Sequence, residues 1–188
     1  SGLPLGGDHI DQLMFKHFVS PELGQGERWV RRVDGEMIDT EFPFKEFESL
    51  LLNWPVTYTL NQNKYRSKLR DGINAGGAAA AKFSRLEELI SHNPGYRVFQ
   101  AIRRAKADLS SAGSAVIDVP EIDLWVQIDR ASFDALLEEL RLQIVALIHK
   151  TLSDAKLRPD EIDLVVRTGG SSLISMFQTL LDGLFPGK

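Results

Sequence analysis

Apolar residues in this chain fall mostly at helical spacing, broken by a few alternating runs. Behind the turn Leu5-Gly6-Gly7, residues Ile10, Met14, Phe15 and Phe18 line one face, and the pattern predicts a helix with Asp8 as its N-cap. Pro21, Gly24 and Gly26 end it, and residues 27–41 alternate loosely, reading as a short hairpin or loop. Phe44, Phe47, Leu50, Leu51 and Trp54 predict a helix stopped by Pro55. A further helix runs from about Gln62 to Ile73, and the Gly76-Gly77 pair separates it from the next. That one starts in the alanine run Ala78 to Ala81, carries Phe83, Leu86, Leu89 and Ile90 on one face, and ends at Asn93-Pro94-Gly95.

From Tyr96, Val98, Phe99, Ile102, Ala105 and Leu109 predict a helix through Leu109. Ala115–Val119 and Ile122–Ile128 read as an antiparallel strand pair, the second alternating cleanly. Asp129 caps a long helix with an apolar face of Phe133, Leu136, Leu137, Leu140, Ile144, Leu147 and Ile148. The close is strand, turn and helix: Ile162–Arg167, Thr168–Ser172, then Leu173 to Leu184 before Pro186-Gly187.

Composition narrows the function classes. At 188 residues the chain is long enough for one domain or two small subdomains. The net charge of −4 argues against a nucleic-acid binder, which would carry a basic stripe. Neither a membrane-length apolar run nor a signal-peptide pattern is visible, so no membrane partner is expected. The absence of cysteine excludes disulfides, thiolate nucleophiles and thiolate metal sites, and fits a cytoplasmic location. The Ser-Gly start suggests a processed or engineered piece, with Ser1 a cloning remnant.

Two places could carry chemistry. In Thr168-Gly169-Gly170-Ser171-Ser172 the glycines let backbone pass close to a flat or anionic ligand at the head of a helix, although a Gly-Gly pair there is more often plain turn chemistry. Arg103, Lys106 and Ser110 share a helical face, and a cation followed one turn later by a hydroxyl suits the hydroxyls of a ribose; a solvated basic face is the plain alternative. His9, His17, His92 and His149 lack metal-ligand spacing, no Asp/Glu pair stands out as acid and base, and Ser171 lies in no nucleophile elbow. No catalytic residue and no metal ligand is therefore assigned.

Three segments in order resemble the heat-shock protein 70 family of the actin-like ATPase superfamily. Leu5-Gly6-Gly7-Asp8-His9-Ile10-Asp11 resembles its Leu-Gly-Gly-Glu-Asp-Phe-Asp signature. Ala105-Lys106-Ala107-Asp108-Leu109-Ser110-Ser111 is similar to its Ala-Lys-x-x-Leu-Ser-Ser helix end. Glu161 to Ile174 is similar to its Ile-Asp-x-Val-x-Leu-Val-Gly-Gly-Ser-Thr-Arg-Ile-Pro segment. The likeness covers residues 5–18 and 96–186.

This resemblance implies an α/β fold, α+β by content: the lobe II part of the actin-like ATPase fold, a helix-rich outer subdomain with a small antiparallel sheet plus a piece of the inner subdomain. Residues 1–129 would form the outer subdomain, with an enlarged helical insertion at about 19–95, and residues 130–188 the inner piece. It implies that Lys106 and Ser110 contact a ribose, that Gly169, Gly170 and Ser171 pass beside adenine and phosphates, and that Gly6 and Gly7 form a cleft-floor turn. Two positions depart from the family: Arg103 stands where it has an acid, and Leu173 where it often has an arginine against adenine. The enlarged insertion points to a divergent, bacterial-type relative.

The implied ligand is ATP or ADP, with magnesium in the full-length protein only, and the implied further partner is a client protein or co-chaperone. The family's phosphate loops, catalytic lysine and metal-anchoring aspartate have no match here, so the isolated chain is expected not to hydrolyse ATP. It is expected to be monomeric or weakly self-associating. The alternative function is a nucleotide-independent protein-interaction module that keeps the chaperone fold.

Overall fold

The structure is a computed structural model that describes residues 6–92 and 95–188. Ser1, Leu5 and the predicted helix stop at Asn93-Pro94 lie outside the described residues. Helix α1 (Gly7–Met14) continues into a wider π turn, Phe15–Val19, and a 3-10 turn, Ser20–Leu23. Its N-cap is Gly6, with extended backbone, rather than Asp8. Because the helix starts one residue before Asp8, that carboxylate falls in the first turn, where it meets the positive end of the helix dipole instead of capping it.

Residues 27–41 resolve as a hairpin, β1 (Arg28–Val33) against β2 (Glu36–Glu41), with Trp29 opposite Thr40. The turn between them uses Asp34 and Gly35, both at positive φ. The molecule therefore has a second two-stranded antiparallel sheet beyond the one predicted. Helix α2 (Phe44–Leu51) stops short of Trp54, which opens a 3-10 stretch, Trp54–Asn61. Pro55 acts upstream of itself: it disfavours helical backbone at the residue before it, so the helix ends earlier than its apolar spacing suggests.

Helices α3 (Asn63–Asn74), α4 (Ala78–His92) and α5 (Gly95–Asp108) follow as expected. The core among them is aromatic. Phe42 sits 4.4 Å from Phe83, 5.3 Å from Phe47 and 5.5 Å from Trp29, centroid to centroid, all of them buried. The Phe83 ring is wedged between Gly24 and Gly72, where an added Cβ would stand 2.7 Å from ring carbons. Arg85, on the same helix, donates to Glu22 O at 2.9 Å and Ile122 O at 3.2 Å, tying two turns to α4. Phe15 stacks on Phe99 at 5.4 Å, joining α1 to α5.

Strands β3 (Ser114–Val119) and β4 (Leu124–Asp129) form the predicted antiparallel pair; Ile122 belongs to the 3-10 connection between them, not to the strand. Asp129 caps α6 (Arg130–Leu136), accepting from the Ser132 N–H at 2.7 Å. The long helix predicted here is broken at Leu137, whose ψ of −2° leaves the helical range, and resumes as α7 (Glu138–Ala155). Only Leu140 of α7 is buried, so the apolar stripe predicted along it is half-covered beyond that point.

The predicted strand Ile162–Arg167 forms no ladder: among the described residues its one backbone–backbone bond runs from the Ile162 N–H to Pro159 O at 3.3 Å, and Leu164 and Val166 stand exposed. Its sequence has strand character, yet a strand exists only through a neighbour that completes its hydrogen bonds. A 3-10 turn, Gly170–Leu173, leads into α8 (Ser175–Leu184), which starts two residues later than expected because Gly169 at φ +83° turns the chain first.

Candidate functional site

Helix α5 buries Val98, Ile102 and Ala105 and so turns Arg103, Lys106 and Ser110 toward the start of α1. The link between the two helices is Asp11, 2% exposed, which accepts from Lys106 Nζ at 2.5 Å and Arg103 Nε at 3.0 Å. Lys106 Nζ also donates to Gly7 O at 3.1 Å, and Arg103 reaches Asp8 Oδ1 at 3.2 Å. The Asp11 carboxylate, through its hydrogen bond, holds the Arg103 guanidinium above its ordinary range, against the opposing effect of burial. Arg103 thus stays charged, and its charge is compensated where it sits by Asp8 and Asp11.

Glycine at position 7 is what lets a third segment join. A Cβ there would lie 3.2 Å from Ser171 Oγ and 3.3 Å from Lys106 Nζ, so the helix start, the lysine and the Gly-Gly-Ser turn meet at one point. Ser110 Oγ donates to Lys106 O at 3.2 Å, which leaves its lone pairs free to accept. In the turn, Gly169 needs its left-handed φ of +83°, and its carbonyl accepts from Ser172 Oγ at 2.7 Å. Gly170 has nothing within 4 Å of where a Cβ would stand and opens the turn to a ligand.

The structure brings Gly6, Gly7, Arg103, Lys106, Ser110, Gly169, Gly170, Ser171 and Leu173 around one open pocket of about 620 Å³, with Ala107, Thr168 and Ile174 completing its wall. That volume lies within the range of small-molecule sites. Among the described residues no carboxylate lines it. A larger groove of about 820 Å³ between α6, α7 and α8 offers less convergent chemistry, since its Glu138 and Arg141 are bonded to each other at 2.6 and 2.7 Å. Among the described residues no group of His, Cys, Asp and Glu is placed to hold a metal ion, and no helix is long and apolar enough to cross a membrane.

Asp11 is the residue that the sequence reading left without a role. Its signal was present: an acid set within the apolar stripe of Ile10 and Met14, where only a buried partner would make it tolerable.

The family model described as Hsp70 protein matches residues 84–188, more than half of the chain. The chain belongs to the Hsp70 family. Among curated relatives, it is 36% identical over 96 residues to "Heat shock cognate 70 kDa protein 3" of Dictyostelium discoideum, covering 49% of this chain and 15% of that protein. It is 33% identical over 96 residues to "Chaperone protein dnaK3" of Synechococcus elongatus, covering 47% of this chain and 13% of the relative. With "Heat shock 70 kDa protein 2" of Paracoccidioides lutzii the match extends over 154 residues at 33% identity, 80% of this chain and 20% of the relative. The matched stretches thus span a fifth or less of these Hsp70 relatives, between 13% and 20%. The helix-rich architecture with small antiparallel sheets is that of an α/β fragment of the Hsp70 actin-like ATPase domain.

Proposed function

We propose that this chain is part of the nucleotide-binding domain of an Hsp70-like chaperone and contributes the adenosine side of its ATP/ADP site. The observation that carries the reading is the convergence of the α5 end, the α1 start and the Thr168–Ser171 turn on one pocket. In this reading the Lys106 ammonium, with two donors committed to Asp11 and Gly7, offers its remaining one to a ribose hydroxyl. Ser110 accepts from the same sugar. Gly169 and Gly170 admit the flat base or the first phosphate to backbone distance. Arg103 and Leu173 stand at the rim, the latter 60% exposed and supplying an apolar contact.

Magnesium does not fit these residues, because among the described residues no carboxylate lines the pocket to anchor it. Binding without hydrolysis is therefore the proposed role of the chain itself. A division at Asp129/Arg130 into outer and inner pieces, client or co-chaperone partners and a cytoplasmic setting belong to the same proposal.

A second reading, an interaction module that no longer binds nucleotide, draws on Arg103 being held by Asp8 and Asp11 and on the exposed Leu173. Titrating the chain with adenosine and with ADP under NMR separates the two. The nucleotide reading expects shifts clustered at Gly7, Lys106, Ser110 and Gly169–Ser171, and their loss in Gly170→Val, whose side chain enters open space without disturbing the fold. Shifts absent from the wild-type chain, or unchanged by Gly170→Val, would leave the interaction module.

A further inference from the structure

Donors and acceptors are unevenly supplied in the pocket at the α5 end. Its wall carries two cations, Arg103 and Lys106, and among the described residues its only side-chain acceptors are the hydroxyls of Ser110, Thr168 and Ser171. A free ribose hydroxyl is met best by a group that accepts its proton, and a carboxylate does this most strongly. At position 103 the chain offers a guanidinium instead, which only donates.

Arg103 is fixed along one edge and open along another. Its Nε donates to Asp11 Oδ2 at 3.0 Å and its Nη2 to Asp8 Oδ1 at 3.2 Å, both from the same edge of the planar group. Among the described residues nothing accepts from Nη1, so the end-on edge, Nη1 with the second N–H of Nη2, faces no partner, and 53% of the side chain is exposed. That edge matches two oxygens of one phosphate. The two carboxylates orient the fork before any ligand arrives, which lowers the entropy lost on binding. Neither of them lines the pocket; they border a separate cavity of about 170 Å³ that shares Arg103 with it. Along α5 the polar groups follow in one-turn steps, Ser110, Lys106, Arg103. A ribose held at Lys106 and Ser110 therefore has the guanidinium one turn, about 5 Å, further along, within reach of a phosphate on its neighbouring hydroxyl.

We propose that this site prefers an adenosine whose ribose carries a phosphate ester on a secondary hydroxyl, 2′ or 3′, gripped by the open edge of Arg103 beside the Lys106 ammonium. The inference rests on the nucleotide reading and adds to it the chemical class of the ligand. Dinucleotide sites make the same exchange, a carboxylate for a free 2′-hydroxyl and an arginine for a 2′-phosphate. Ser110 keeps the hydroxyl that is not esterified, because its lone pairs remain free.

NMR titrations of the chain at fixed salt test it, with adenosine, its 2′-, 3′- and 5′-monophosphates and inorganic phosphate as ligands. The 2′- or the 3′-monophosphate should bind about tenfold or more tightly than adenosine and than the 5′-monophosphate, and inorganic phosphate more weakly than that ester. The readout is the ratio of the ester's affinity to that of adenosine, which a general loosening of the pocket does not move. In Arg103→Gln the ratio should fall to about twofold or less, and Arg103→Lys, which keeps the charge but not the fork, should lose at least about threefold of it. Circular dichroism checks that both variants keep their helices. Adenosine binding with no preference for either ester overturns this proposal and leaves the nucleotide reading standing. A 5′-monophosphate that gains as much, inorganic phosphate that binds as tightly, or a ratio unchanged in both variants overturns it as well. If no adenosine ligand shifts the chain, the nucleotide reading falls with it.

Discussion

Replacing Asp11 by asparagine tests the electrostatic joint that holds the pocket together. Asn is nearly isosteric, so no cavity forms, and one side-chain oxygen remains to accept from Lys106. Its amide nitrogen, however, faces Arg103 Nε, a donor against a donor, and the negative charge is gone. The two cations respond differently. Arg103, with 53% of its side chain exposed, rehydrates and keeps Asp8; Lys106, with 15% exposed, is left as a nearly buried charge without a counter-ion. Breaking a buried pair from one side costs about 3–5 kcal/mol, and the partial exposure of Lys106 places this case near about 3 kcal/mol. At about 2–4 °C per kcal/mol for a chain of this size, the melting temperature should fall by about 6–12 °C.

The converse substitution, Lys106→Met, leaves Asp11 still paired to Arg103 and should cost less, about 1–2 kcal/mol. Urea denaturation of both variants, read as a shift in midpoint at constant slope, gives the comparison. An Asp11→Asn variant within about 0.5 kcal/mol of wild type, or one more stable than Lys106→Met, would refute the assignment of Asp11 as the common counter-ion.

Two further outcomes follow from local geometry. Gly72→Ala should destabilise by about 1–2 kcal/mol in the same urea assay, even though alanine is the better helix former by about 1 kcal/mol. The new methyl would stand 2.7 Å from Phe83, whose ring Phe42 holds from 4.4 Å away, and a neutral or stabilising result would show that the ring can yield. At Asp129, hydrogen bonds from the Ser132 backbone N–H and then its hydroxyl hold the carboxyl below the usual aspartate range. A depressed folded-state value adds stability above the unfolded pKa, and that stability disappears as pH falls through the folded one. The melting-temperature gap between wild type and Asp129→Asn should thus be constant near neutrality and close below about pH 4. A gap independent of pH would remove the charge from the cap.

Local order was legible in the sequence wherever one period dominated. The stripe on α4, the clean alternation of β4 and the Asp129 cap each depend on residues close in the chain, and each formed as the spacing predicts. The misplaced boundaries have local causes too, at Pro55 and Gly169, but these compete with the apolar period rather than reinforce it. Leu137 is different: nothing in the repeat through Phe133, Leu137 and Leu140 announces the break between α6 and α7.

The amino-acid sequence by itself settled the Hsp70 kinship, the helix-rich class and which short words carry polar groups fit for a ligand, because these are properties of spacing and residue type. Only the tertiary structure decided that Gly7, Lys106 and Ser171 meet within a few ångströms, that Asp11 is the buried anion between two cations, and that Ile162–Arg167 forms no ladder among the described residues. The reason is physical: contact between residues a hundred positions apart, and the dehydration that makes such a contact strong, arise only when helices pack and exclude water.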